Sequence, residues 1–247
     1  MILSIPPMLP RPDKIHVVRD NETETWRSDF TERCVGTPQL LLVEQQIPAS
    51  AILPHYHCID QFQIFMDGSG KLGNHPIEPI AIHYTNAHTG YGPIVAGEAG
   101  MSYYVVRPSF DIEGSQYIHV PAARARLRPG GKRYLLAEHV HTRTLADLRA
   151  LDSTTVERVL DVPQDDSDAG VFADIVCMGP GQRHEGPAPE LGGGQVHIVL
   201  QGTVVHADTV LGTRGAVAVT PDEPSVTVTS GPDGAQLMVL QYPKRLG

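Results

Sequence analysis

His55-Tyr56-His57-Cys58-Ile59-Asp60-Gln61-Phe62-Gln63-Ile64-Phe65-Met66-Asp67-Gly68 is the stretch whose reading decides the fold. Phe62, Ile64 and Phe65, with Leu53-Pro54 upstream, are strand-type residues without helical period. On an extended strand alternate side chains share a face, so His55 and His57 lie on one side, about 7 Å apart at ~3.3 Å rise per residue. That places the two imidazoles toward a barrel interior, where they can share a metal ion if neighbouring strands add donors. Cys58 points to the other side and reads as a small buried hydrophobe. Asp67-Gly68-Ser69-Gly70 ends the stretch as a tight turn, in which glycine supplies positive φ.

Sliding the chain against itself by 134 residues brings Gln61 onto Gln195, Ile64 onto Ile198 and Gly68 onto Gly202. At the same offset Gly97 and Gly100 fall on Gly231 and Gly234, and Val105 on Val239. An unchanged offset across strands, turns and a variable loop indicates two copies of one β unit. In the first copy, 40–43, 63–66, 81–84 and 102–106 read as strands; in the second, 172–176, 196–200, 216–219 and 237–240 take their places. Between the copies, Leu145, Leu148, Leu151 and Val156 form an amphipathic stripe that predicts a helix over 144–160, and 162–168 reads as a solvated loop. The expected divisions are 1–130, a helical connector over 131–168, and 169–247.

Composition agrees with an all-β chain: 24 Gly and 21 Pro punctuate short apolar runs in 247 residues. A net charge of −9 with no basic block argues against a nucleic-acid partner. No apolar run approaches the ~18 residues needed to cross a bilayer, so no membrane partner is expected. The start, Met1-Ile2-Leu3-Ser4-Ile5-Pro6-Pro7, lacks a basic segment followed by an apolar core. Cys34, Cys58 and Cys177 are odd in number and widely spaced, which implies no disulfide framework and a cytoplasmic setting. No Gly-x-Ser-x-Gly, phosphate loop or dinucleotide fingerprint occurs. Gly192-Gly193-Gly194 precedes a strand, so it is not a phosphate cradle. His139-Val140-His141 sits in the connection between the copies, without a glycine-bounded turn, and reads as structural.

The pattern His55-x-His57-x3-Gln61-x6-Gly68 resembles the first motif of the cupin superfamily, with Gln where the family carries Glu. The family's leading Gly is absent, and its second motif is not cleanly present; Ala87-His88-Thr89-Gly90-Tyr91-Gly92-Pro93 occupies that region. With the repeat, the resemblance implies an all-β fold of two tandem jelly-roll barrels joined by a short helical connection. It also implies a divalent transition metal (Fe, Mn, Ni or Zn) in the first barrel, held by His55, His57 and Gln61, with His88 or His83 as the fourth ligand. A neutral Gln weakens such a site relative to Glu. Gln63, on the face of Gln61, is a further oxygen donor or substrate contact. Opposite His55 and His57 the second copy has Pro189 and Leu191, so a metal there is not expected.

Two functions follow. One is a metal-dependent enzyme, a dioxygenase or an isomerase, acting on a small organic molecule oriented by Tyr56, Tyr91, Gln63 and His83. The other is a non-catalytic small-ligand-binding or structural protein without metal. Catalytic residues cannot be chosen from the sequence. Jelly-roll edges favour a homodimer.

Overall fold

The computed structural model describes residues 1–19, 21–163 and 168–244. They form two compact units, 10–140 and a second made of 141–247 with 1–9. The expected divisions at 130 and 168 fall inside these units rather than between them. No helix among the described residues is long and apolar enough to cross a membrane.

In the 10–140 unit an antiparallel sheet runs in the order Tyr134–Ala137, Ala81–Thr85, Gln61–Leu72, Ile94–Arg107, Gln39–Gln45, Glu24–Asp29, Ile15–Val18. Gln39–Gln45 is buried on both faces, which its run Leu40-Leu41-Leu42-Val43 permits. Gln61–Leu72 is buried over its first six residues and opens at Asp67-Gly68, where the sequence turns polar. Leu41, Phe65, Leu72, Ile94 and Tyr103 meet in the core between the sheet faces. His55–Tyr56 stands apart from this sheet and pairs with Gln116–Tyr117.

The second unit repeats the plan. Phe172–Met178, Gln195–His206, Thr209–Gly212, Ala216–Val219 and Thr227–Gln241 follow the first-unit strands at close to the 134-residue offset. The repeat is anchored by paired glycines. Gly68 and Gly202 both have positive φ, and a Cβ on either would run into the carbonyl oxygen of Gly100 or Gly234 respectively. Each glycine pair sits where a register shift interrupts the strand ladder. Glycine is required there by close backbone approach as well as by φ.

Three features depart from the sequence reading. The helix expected over 144–160 is confined to Leu145–Arg149, where Thr144 and Asp147 form a reciprocal capping box. Leu148 is its one buried residue, and Thr155–Asp161 is an edge strand paired with Phe172–Met178. The β-branched run Thr154-Thr155-Val156 outweighs the partial helical stripe. Of the loop expected over 162–168, residues 164–167 lie outside the described residues. Finally Ile2–Ile5, read only as the start of the chain, pairs with Ala216–Val219 at the edge of the second unit's sheet.

Candidate functional site

The 10–140 unit contains a cavity of about 280 Å³ that opens to the surface beside Arg33 and Ile112. His55 reaches it because its backbone is bonded on one side to Tyr117's strand and on the other to Tyr91, with His55 N donating to Tyr91 O at 3.1 Å and Tyr91 N to His55 O at 3.0 Å. His55 and His57 are both buried, with ring centroids 5.3 Å apart and edge to face. Strand alternation thus does set the two imidazoles on one side. Gln63, Tyr91 and Tyr103 line the same cavity, and Arg107 with Asp111 completes its polar part.

These groups are bonded to one another, and the bonds assign one set of protons. Arg107, the last residue of Ile94–Arg107, donates from Nε (3.1 Å) and Nη2 (2.9 Å) to Gln61 Oε1, and from Nη1 (2.6 Å) to Gln39 Oε1. Gln61 therefore turns its Nε2 to the Tyr91 hydroxyl at 2.6 Å. That hydroxyl donates to His55 Nε2 at 2.9 Å, and His55 Nδ1 donates to Leu53 O at 2.8 Å. On the other branch His57 Nδ1 donates to Asp111 Oδ2 at 2.5 Å, while Arg107 Nη2 lies 3.2 Å from both ring nitrogens of His57.

Burial decides the charge states. His57 is pushed down to about 4 by burial and by the Arg107 cation, which together outweigh the pull of Asp111. His55 is held well below the ordinary imidazole range by burial and by His57. Burial alone would raise the Asp111 carboxyl, but the bond to His57 and the nearby Arg107 hold it below its usual value. Tyr91 is raised by burial and keeps its proton. At neutral pH the centre therefore consists of two neutral imidazoles, a phenol, one carboxylate and one guanidinium.

This donor set does not fit a divalent ion. The Gln61 oxygen, expected as a ligand, already accepts twice from Arg107, and the His55 Nε2 lone pair is taken by Tyr91. A second cation beside the buried guanidinium would meet repulsion at low dielectric. Among the described residues no three His, Cys, Asp or Glu side chains converge as metal ligands.

The other sequence candidates are spread out. His88, expected as a fourth ligand, has φ of 61° and its ring lies tilted against Tyr56, with centroids 5.5 Å apart, instead. Tyr56, expected to orient a substrate, faces away from the histidine pair, as strand alternation requires, and its hydroxyl donates to Ala123 O at 2.9 Å. His83 lies behind the cavity wall, donating from Nδ1 to Gln63 Oε1 at 2.8 Å, with its ring 5.1 Å from Tyr91 and 4.4 Å from Tyr134. Burial alone lowers it to about 3.

Arg107 and Asp111 were missed by the sequence reading, as were Arg19, Arg27 and Arg33, which also line the cavity. A signal for Arg107 existed: it is a charged residue ending the apolar strand Tyr103-Tyr104-Val105-Val106, and the 134-residue offset sets it on Gln241. In the second unit Gln195 Nε2 donates to Gln241 Oε1 at 2.8 Å, and His197 Nε2 to Gln195 Oε1 at 3.0 Å. A neutral amide pair there replaces the cationic contact of the first unit. Pro189 and Leu191 lie in a 3-10 turn, so that unit has no histidine pair.

No family model matches the chain, and no curated protein does. Among solved structures it is similar to the pirin YhhW from Escherichia coli in complex with nickel(II), at 10% identity, 98% of this chain, 100% of that one and a TM-score of 0.58. It is also similar to the oxalate decarboxylase formate complex from Lactobacillus farciminis, at 13% identity, 99% of this chain, 86% of that one and a TM-score of 0.59. A cupin 2 conserved barrel domain protein from Leptotrichia buccalis matches at 10% identity, 96% of this chain, 99% of that one and a TM-score of 0.50.

Proposed function

From the bicupin-like fold of the cupin superfamily that this chain has, we infer that its 10–140 unit is a small-molecule-binding unit whose polar centre is organised by Arg107 in place of a divalent ion. The observation that carries this reading is the pair of bonds from Arg107 to Gln61 Oε1, with the same guanidinium against His57. An internal cation there does what a bound ion would do: it fixes the Gln61 amide and, through it, the Tyr91 hydroxyl. With the two histidines and Tyr91 bonded within this centre, Gln63, Tyr103 and the arginines that line the cavity furnish it for hydrogen bonding to an organic ligand. The cysteines are free, which fits a reducing cytoplasmic setting.

The competing reading is a metal enzyme of the oxygenase or isomerase kind. It draws on the buried His55–His57 pair and on the nickel in pirin YhhW. Elemental analysis of the full chain, followed by titration with Ni(II), Fe(II), Mn(II) and Zn(II), separates the two. We expect well under one equivalent of metal and no saturable binding in the cavity. One equivalent per chain that disappears in His57→Ala would sink the Arg107-centred reading.

A further inference from the structure

Resting on the reading of this cavity as a small-molecule site, we propose that its ligand is a small organic dicarboxylate. Four guanidinium groups line the cavity, from Arg19, Arg27, Arg33 and Arg107, and Asp111 is the one carboxylate among the lining residues described. In a chain of net charge −9 that is a concentration of positive charge against the overall balance. The arginines come from separate places: after Ile15–Val18, within Glu24–Asp29, in the loop beyond it, and at the end of Ile94–Arg107. Their convergence on one small cavity is a product of the fold and not of a basic run, which suits a small anion better than a nucleic acid.

Three of the four are held in place by neighbours that leave donors over. Arg27 Nη2 bonds Asp29 Oδ2 at 3.0 Å, Arg19 Nη1 bonds Tyr117 at 3.3 Å, and the Arg33 guanidinium lies over Phe110 at 5.3 Å. Nε of Arg19 and Nε of Arg27 are buried with no hydrogen-bond partner among the described residues. A buried N–H without a partner is costly, and a ligand oxygen supplies one. A guanidinium edge offers two parallel donors that match a carboxylate.

Depth and size narrow the class. Arg107 is buried, Arg19 and Arg27 are half-buried and Arg33 is exposed, so positive charge extends from the interior outward. A matching ligand carries negative charge at two ends, with Leu41, Val43 and Val105 available to the carbon between them. The cavity of about 280 Å³ has room for a short-chain diacid together with water.

Calorimetric titration of the metal-free full chain with succinate, malonate, the matched diamides and inorganic phosphate tests this. We expect one dicarboxylate per chain, bound at least ten-fold tighter than its diamide and weakening as salt rises. Arg27→Gln and Arg33→Gln should each lose at least ten-fold in affinity while keeping the parent's urea midpoint. Equal binding of the diamide, phosphate binding tighter than either diacid, unchanged affinity in both variants, or no anion binding would each overturn the proposal. Diamide binding in metal-free protein would leave the small-molecule reading standing. Dicarboxylate binding only after metal addition would overturn that reading and leave the ligand class intact.

Discussion

Replacing Arg107 by Met should destabilise the 10–140 unit by about 3 kcal/mol. The side chain is buried, and its loss leaves Gln61 Oε1 without its two Arg107 donors, Gln39 Oε1 with the longer bond from Asp111 N at 3.4 Å, and Asp111 without a cation 3.8 Å away. Removing one partner of a buried charge pair costs about 3–5 kcal/mol, and the apolar methionine returns on the order of 1 kcal/mol through burial. The single tryptophan, Trp26, lies in the strand Glu24–Asp29 of the same unit, so its fluorescence during urea unfolding reads that unit alone. Arg107→Lys keeps the charge but cannot serve Gln61 and Gln39 together from one fork, and should fall between parent and Met. A Met variant within about 1 kcal/mol of the parent, with Lys indistinguishable from it, would refute the claim that Arg107 organises the centre.

Other expectations follow from the same geometry. Gly68→Ala and Gly202→Ala should each cost about 3 kcal/mol, from positive φ plus collision with the opposing carbonyl, and the two should be similar if the glycine pairs are equivalent. Tryptophan fluorescence reads the first and circular dichroism the second. Burial lowers His83 and His197 from 6.5 to about 3 in the folded chain. The unfolded chain therefore binds more protons between those values. This contribution is complete above pH 6.5 and is lost, at up to ~1.4 kcal/mol per pH unit for each histidine, as pH falls toward 3. Urea midpoints at pH 7.5, 5.5 and 4.5 should decline, and His197→Gln should flatten the slope; an unchanged slope would count against burial as the cause. Thr144→Ala removes the capping box and should cost about 1 kcal/mol, visible as faster amide exchange over Leu145–Arg149.

The sequence carried the β repeat because the positions that hold it are intolerant. Gly68 and Gly202 face a backbone carbonyl, Ile64 and Ile198 are fully buried, and no other residue types serve those roles at low cost. The histidine pair was legible for the same reason, since alternation on a strand is a local property. The rest of the site was not local. Arg107 gains its meaning from Gln61 and Gln39, 46 and 68 residues away, and Asp111 from His57, 54 residues away. Arg19, Arg27 and Arg33 sit in a part of the chain with little hydrophobic period, where an arginine reads as solvated until the sheet brings it to a cavity. His88 misled because its place near a family motif says nothing of its positive φ, which turns the ring onto Tyr56.

The edge strand Ile2–Ile5 carries a consequence for biosynthesis. Its partner, Ala216–Val219, leaves the ribosome about 210 residues later, roughly 10–40 s at ~5–20 residues per second. For that interval an early-made apolar segment waits unpaired while the intervening 10–140 unit can already be assembled. A shortened chain beginning at His141 would expose the free edge of Ala216–Val219, an invitation to intermolecular pairing. Moving residues 1–9 to the far end by circular permutation would let the second unit close as a continuous segment.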